Sequence, residues 1–536
     1  MKNMGPKGVV FAAVLLFSVG VVWGAERLDG VSDVDIVDHS NELYFGFAVT
    51  NIGDLNNDTY PDVVVSSPQY SKVYVYYGGP SFDGISDLTL ADHSGVWPGT
   101  SLSSSGDLNG DGVQDLVVGT AASQAYVYYG GSSFDGSSDK TFSKSDLYFG
   151  YTVESGGDLN ADSYEDLVIT AYYADKAFVY FGGPSFDTTE DIVINDHNRG
   201  VHAFGISACM GDLNGDGNDD LVIGDYGGDG GSAKAGMAYV YFGNSTFDGI
   251  SDVNISSSEN YFAFSINCGG DINGDGYRDL VVGSPKARKA YVYFGGPSFD
   301  NISDIEITDQ TSTADFGDAI SNRGDLNNDT YPDLVVGASD LTGGGANTYR
   351  AFVYYGGPNF DGTCDLTIED HQSGGFGISL KNGGDINNDG ADDLIVGAYS
   401  GRKAFVYYGG DNIPPVVENA TVIPALQELG EKVTIYVDAW DRLGVNTSLA
   451  EIDGAVNYTM VTNGTGNTYN VTIDTAPFGL GTHNVTFYVS DTLGNLNGTL
   501  TAAFEVRDTT PPVWVETPQD RTVELGSGVS YDRNAT

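Results

Sequence analysis

Apolar residues in this chain come in short β-branched and aromatic runs, cut every few positions by Gly, Asn or Asp. Between residues 26 and 410 no run keeps a helical period, so the pattern predicts strands throughout. Four strand signals follow one another in fixed order. An aromatic-glycine run such as YFGFAV (Tyr44) or YFGYTV (Tyr148) comes first, and an Asp-rich loop follows it. A continuous apolar run comes next, such as VVVSS from Val63 or LVIGD from Leu221. Third is an alternating YVYYGG-type segment, starting at Tyr74, Tyr126, Phe178, Tyr239, Tyr291, Phe352 and Phe405. A weaker SDLTL-like strand ends the set.

The set recurs seven times, and the first Asp of its loop falls at 54, 107, 158, 212, 271, 325 and 385. A spacing of 51 to 60 residues suits one four-stranded propeller blade. The SDLTL-like strand is out of phase with the rest. Its first copy, SDVDIV at Ser32, precedes the first blade, and the last blade stops at Gly410 without one. A ring resolves this: the N-terminal strand completes the seventh sheet, closing edges that would otherwise be exposed. The expected fold is all-β, a seven-bladed propeller over residues 26–410 with its N-terminal strand closing the last blade, followed by an Ig-like β-sandwich.

The loops carry the candidate chemistry. Each offers Asp at position 1, Asn at 3, Asp at 5, a backbone carbonyl at 7 and Asp at 9. In order, the first three sets are Asp54, Asn56, Asp58, Tyr60, Asp62; Asp107, Asn109, Asp111, Val113, Asp115; and Asp158, Asn160, Asp162, Tyr164, Asp166. The fourth and fifth are Asp212, Asn214, Asp216, Asn218, Asp220 and Asp271, Asn273, Asp275, Tyr277, Asp279. The last two are Asp325, Asn327, Asp329, Tyr331, Asp333 and Asp385, Asn387, Asp389, Ala391, Asp393. An EF-hand would need a bidentate Glu at position 12, where Ile223 stands, and flanking helices. An all-oxygen set suits Ca²⁺ with its flexible geometry better than Mg²⁺, and the lack of Cys or His disfavours zinc. Turn formation alone does not call for Asp at position 9 in every copy. The expectation is up to seven structural calcium ions.

These aromatic-glycine runs, D-x-N-x-D-x-x-x-D loops and GAP-like tripeptides (SSP at 66, GSP at 283, GAS at 337) resemble FG-GAP repeats over about 70% of the chain. Such repeats build the N-terminal propeller of integrin alpha chains and occur in secreted microbial proteins. The resemblance implies a ligand face opposite the calcium loops, formed by the 2–3 and 4–1 connections. It also implies calcium loops in only some blades, so this chain departs toward more calcium.

Charge and targeting narrow the function. A formal net charge of −51 excludes nucleic acid and anionic membranes as partners. Residues 1–25 read as a signal peptide, with Lys2 and Lys7 before an apolar run, so the mature protein is secreted or displayed on the cell surface. Of three cysteines, Cys209 and Cys268 are expected to be small apolar side chains, and an odd count leaves at least one free.

On the expected ligand face, Lys72, Lys176, Lys289, Arg350 and Lys403 share one repeat position before strand 3, as snorkelling structural side chains would. Arg199, Lys286, Arg288 and Arg402 are blade-specific, and an acidic ligand such as a carboxylate or uronic sugar would meet them there. The pairs Asp38-His39, Asp92-His93, Asp196-His197 and Asp370-His371 recur at one 4–1 position, which favours packing over acid–base chemistry. No catalytic motif stands out, and no blade-specific acids are evident around the central channel.

At Asp411 the repeat gives way to DNIPPVV, echoed by DTTPPVW at Asp508. Residues 411–507 alternate as an Ig-like sandwich resembling repeats of microbial surface proteins, and 508–536 read as the start of a second one or a truncated tail. Sequons at Asn419, Asn446, Asn457, Asn463, Asn470, Asn484, Asn497 and Asn534 suggest a glycosylated stalk, whereas Asn57 and Asn328, inside calcium loops, are expected unmodified. The functional expectation is a calcium-stabilised adhesion or recognition module for an unknown protein or glycan. The alternatives are a polysaccharide- or lipid-acting enzyme and an envelope glycoprotein without a specific ligand.

Overall fold

The structure is a computed structural model describing residues 28, 30–37, 42–90, 98–196, 203–227, 236–259, 261–308, 315–339, 349–370, 374–410, 415–440, 445–462, 467–491, 496–498 and 500–509. It divides into two compact units, Met1–Ile413 and Pro414–Thr536.

The first unit contains seven four-stranded antiparallel sheets. Blade 1 is formed by Val49–Ile52, Asp62–Ser67, Lys72–Tyr76 and Leu88–Leu90, and the next five blades repeat that order. Blade 7 takes Phe376–Asn382, Leu394–Ala398 and Lys403–Tyr407 from its own repeat and Val34–Val37 from the N-terminal end. Asp35 lies opposite Phe405 and Ile36 opposite Ala404. The expected closing strand is therefore in place. The Asp of the SD dipeptide sets its position: in blade 1 the carboxylate of Asp87 accepts the Tyr77 N–H at 2.7 Å, and in blade 7 Asp33 accepts that of Tyr408 at 2.7 Å.

Strands 2 and 3 are buried over nearly their whole length because each blade is covered on both faces by its neighbours, which explains their continuous apolar sequence. The double glycine after strand 3 has a geometric cause. A Cβ at Gly78 would stand 2.0 Å from the Pro61 carbonyl oxygen, and the next N–H, of Gly79, reaches into the preceding blade to bond the Ile386 carbonyl at 2.6 Å. Equivalent bonds join Gly131 to Leu55, Gly183 to Leu108, Asn244 to Leu159, Gly296 to Leu213, Gly357 to Ile272 and Gly410 to Leu326. Every blade is thus tied to the preceding Asp-rich loop, and the tie from blade 1 to blade 7 completes the circle.

Cys209 and Cys268 form a disulfide with their Cα atoms 5.8 Å apart, which corrects the expectation of two small apolar side chains. Both stand three residues before a loop Asp, Cys209 on the first strand of blade 4 and Cys268 directly after that of blade 5. At that position Asn51, Asn322 and Asn382 donate side-chain N–H groups to backbone carbonyls of the neighbouring blade, and Ser155 meets Ser103 at 3.1 Å. The disulfide does covalently for blades 4 and 5 what amides and hydroxyls do elsewhere. Cys364 is free and exposed.

The second unit is a β-sandwich. One sheet holds Val416–Ile423, Lys432–Trp440, Thr468–Asp474 and Val461–Thr462; the other is built on Gly481–Asp491, flanked by Thr501–Arg507 and Val445–Ile452. Its core packs Val433, Ile435, Val437, Val485 and Phe487, the alternate residues of facing strands. Among the described residues no helix is long and apolar enough to cross a membrane.

Candidate functional site

The Asp-rich loops join strands 1 and 2, and backbone hydrogen bonds explain their sequence. In blade 4, Asp212 accepts the N–H groups of Gly215 at 2.7 Å, Asp216 at 3.2 Å and Gly217 at 2.9 Å. Asn214 accepts from Asp216 at 2.8 Å, and Asp216 accepts from Asn218 at 2.9 Å. Positions 4 and 6 are left-handed, which Gly215 and Gly217 allow freely, whereas Thr59 and Thr330 hold position 6 at φ 85°.

The position-9 carboxylates are fully buried. Asp220 takes the Leu213 and Asn214 N–H groups on one oxygen and the Gly243 N–H, at 2.9 Å, on the other. The same clasp recurs from Asp62 (Leu55, Gly78) through Asp393 (Ile386, Gly409). It ties the loop entry to the exit of strand 3, so the recurrence of Asp at position 9 has a cause besides cation coordination. Burial pushes Asp220 up to about 7; the N–H groups of Gly243 and Leu213 oppose the shift, and the neighbouring Asp212 and Asp216 add to it. Asp62, Asp115, Asp166 and Asp279 are likewise pushed up to about 7, first by burial, and Asp333 and Asp393 are raised in the same way.

The donor chemistry fits a hard cation: every side-chain donor is oxygen, crowded like charges await neutralisation, and carboxylate oxygens that accept an N–H keep a lone pair. Among the described residues, however, no three acidic, His or Cys side chains converge as a formed metal cluster.

On the opposite face the cations have carboxylate partners. Lys72 pairs with Glu42 at 2.5 Å, Lys176 with Asp146 at 2.7 Å, and Lys289 with both Glu259 at 3.1 Å and Glu306 at 2.8 Å. Arg350 pairs with Glu369 at 2.5 Å and Lys403 with Asp35 at 3.1 Å. Of the blade-specific cations, Lys286 pairs with the buried Asp315 at 2.9 Å. Arg288 and Arg402 occupy the left-handed position of the 2–3 turn, both at φ 57°, where blades 1 and 3 use Ser71 and Asp175. Arg199, Asn463 and the histidines of the Asp-His pairs lie outside the described residues. Among the sequons, Asn419, Asn446, Asn457 and Asn484 are exposed and Asn470 is half-buried, while the Asn497 side-chain N–H donates to the Pro415 carbonyl at 3.0 Å.

The propeller axis holds what the sequence reading missed. First strands from all seven blades wall a cavity of about 380 Å³. The residue after each FG or its equivalent lines it, including Phe47, Tyr151 and Phe264, and in blade 6 this residue is Asp318. Asp318 is 7% exposed; one carboxylate oxygen accepts from Ser339 and the other has no partner. Deeper in the channel, Glu154 of blade 3 and Lys381 of blade 7 line the wall. Burial raises the Glu154 carboxyl against the pull of Lys381 and Arg323, and it lowers the Lys381 ammonium. Blade-specific acids do surround the channel, contrary to the sequence reading. The available signal was the fourth residue before each loop Asp, which reads Thr, Ser, Glu, Ala, Asn, Ser and Lys around the ring.

Comparison with known proteins agrees with this architecture. The FG-GAP-like repeat family matches residues 54–118 and 271–336, and the FG-GAP repeat family matches 149–185 and 204–241. The chain is 29% identical to integrin alpha-5 of Xenopus laevis over 228 residues, which is 38% of this chain and 21% of that protein. It is 34% identical to integrin alpha-6 of Gallus gallus over 147 residues, 25% of this chain and 13% of that one. With integrin alpha-PS5 of Drosophila melanogaster it shares 32% over 200 residues, 34% of this chain and 19% of the relative. The matches therefore span about a fifth or less of the length of these relatives.

Proposed function

We propose that the protein is a secreted or cell-surface calcium-binding propeller acting as an adhesion or ligand-recognition module, with the Ig-like sandwich as a glycosylated stalk segment of the microbial surface type. The observation that carries the reading is the all-oxygen donor set repeated in all seven blades of a propeller similar to integrin alpha chains. Repetition points to a structural ion, because a residue present in every blade serves the blade. Each ion would be held by the position 1, 3, 5 and 9 side chains and the position 7 carbonyl, neutralising the buried Asp and stabilising the native state by binding it alone.

The test is binding of the full chain to a panel of surface glycans and envelope proteins, in calcium and in chelator. Calcium-dependent capture of one class supports recognition, and capture of none in either condition moves the reading to a structural envelope glycoprotein. Glu154 and Asp318 also favour a second reading, since two carboxyl groups lining one channel are the residue type a glycan-acting enzyme would use. Polysaccharide turnover lost in Glu154→Gln would replace binding by catalysis.

A further inference from the structure

The described lysines of the loop face are each neutralised by a carboxylate within ion-pair distance, as with Lys72, Lys286 and Lys403. Lys381 is different. Among the described residues neither it nor Glu154, across the channel, makes a hydrogen bond or an ion pair, and the surface that both retain is channel surface. Burial works against the Lys381 ammonium, Glu154 favours it from a distance and Arg323 opposes it, and the net effect lowers it. An ammonium so placed is costly unless something pairs with it.

The rest of the wall limits what that partner is. The volume of about 380 Å³ lies in the range of small-ligand pockets. Near the mouth, Phe47, Tyr151 and Phe264 offer apolar ring surface, while the unpartnered oxygen of Asp318 and the unpartnered hydroxyl of Thr100 offer polar contacts. Past Ile378, level with Asp318, strand 1 shifts register and then runs regularly from Ser379 to Lys381, roughly 7 Å at the usual rise per strand residue. A ligand for this channel has a carboxylate at its deep end, hydroxyls along its edges and an apolar face.

We propose that the axial channel binds the acidic terminal sugar of a glycan, a hexuronate. Its carboxylate meets the Lys381 ammonium, its hydroxyls donate to Glu154 and Asp318, and its carbon face lies against the aromatic mouth. A charge-assisted bond to Lys381 gives the selectivity for acid over neutral sugar. The inference rests on the recognition reading and moves its acidic ligand from the ion-paired outer face into the channel.

The test is calorimetric titration of the full chain, in calcium, with glucuronate, galacturonate, glucose and acetate. One uronate is expected to bind once per chain, with glucose and acetate at least tenfold weaker. Lys381→Met should weaken the uronate at least tenfold while the urea midpoint holds or rises, since a lone buried charge is removed. If that variant does not fold, Thr100→Trp, which fills the mouth and leaves Lys381 in place, should abolish uronate binding. Uronate no tighter than glucose, acetate as tight as uronate, or full affinity in Lys381→Met each overturns the proposal. Calcium-dependent capture of a surface ligand without uronate binding overturns this inference alone and leaves recognition standing. Uronate binding without capture from the panel upholds the channel site and sinks adhesion.

Discussion

Asp220→Asn separates the two roles that position 9 can play. In the native loop three N–H groups converge on this carboxylate: Leu213 at 2.9 Å and Asn214 at 3.2 Å on one oxygen, and Gly243 at 2.9 Å on the other. An Asn of the same shape has one acceptor oxygen. If it faces Leu213 and Asn214, its own NH₂ faces the Gly243 N–H, leaving a buried donor without a partner, a cost of about 1–3 kcal/mol. That cost exists without any ion. If Asp220 also ligates calcium, the substitution removes one site as well, and at 100 times the dissociation constant that site contributes about 2.7 kcal/mol. The experiment is urea unfolding of wild type and variant, each in calcium and in chelator, at pH 8 where the wild-type carboxyl is ionised. Bound calcium is counted by atomic absorption. The expected loss is about 1–3 kcal/mol in chelator and roughly twice that in calcium, with one fewer ion per chain. Equal losses in both media and an unchanged ion count would refute the coordinating role and leave Asp220 as a backbone clasp.

Further outcomes are expected elsewhere. Alkylation of the native full chain should label one thiol, Cys364, and reduction should expose two more; three reactive thiols before reduction would contradict the Cys209–Cys268 bond. Loss of that bond through Cys268→Ser should cost up to about 4 kcal/mol on chain-entropy grounds for a separation of 59 residues, read as a lowered urea midpoint. Ile36 is fully buried on the closing strand, so Ile36→Ala should cost about 3 kcal/mol, whereas a cost under about 1 would mean the strand does not seal blade 7. Thr59→Gly, relieving a β-branched residue at φ 85°, should stabilise by about 1 kcal/mol; a lowered midpoint would show that its side chain matters more than its strain. In the sandwich, burial works against protonation of His483, but the Asp453 carboxylate at 2.6 Å and the Gly479 carbonyl at 2.8 Å outweigh it and hold the imidazole above its ordinary value. Asp453 is correspondingly lowered by His483. The stabilisation is full between the ordinary Asp and His values. It fades as pH rises through the raised His value or falls through the lowered Asp value, by less than about 1 kcal/mol because Asp453 is partly exposed. His483→Gln should flatten the sandwich transition between pH 6 and 8 in calorimetry.

The blades were legible because every local signal is repeated seven times, and the misplaced SDVDIV strand fixed how the ring closes. What escaped depends on neighbours far apart in sequence. The lysines before strand 3 were visible, but their partners Glu42, Asp146 and Glu259 lie on 4–1 segments that only the fold brings beside them. The cysteines share one offset from their loops, yet pairing them requires knowing that this offset faces the adjacent blade. The channel was hidden by a more local cause. In blades 3, 6 and 7 the first strand shifts register after its FG, between Phe149 and Val153, Phe316 and Ala319, and Phe376 and Ser379. Such a bulge resets which residues face inward, so alternation counted from the aromatic does not reach Glu154 or Lys381 correctly.

Symmetry itself divides structure from function here. Where seven copies agree, a shared mechanical task explains the agreement: the position-9 clasp, the SD carboxylate and the glycine ties each satisfy backbone groups that every blade possesses. Agreement therefore says little about a surface ligand, and the loop carboxylates serve the backbone of every blade as well as any structural ion. Where the copies disagree, no single task shared by all seven blades fixes the residue. Adjacent positions on strand 1 differ: the third residue before the loop Asp links blades through Asn51, Ser155, Asn322, Asn382 and the disulfide, while the fourth reads Thr50, Ser103, Glu154, Ala208, Asn267, Ser321 and Lys381, of which Ser103 and Ser321 complete links to Ser155 and Asn382 of the next blade. A scaffold needs no charge at this fourth position, since blade 4 manages with Ala208. Glu154 and Lys381, which make no ion pair among the described residues, carry a desolvation cost that their blades do not require, and that cost is what motivates the proposed channel site.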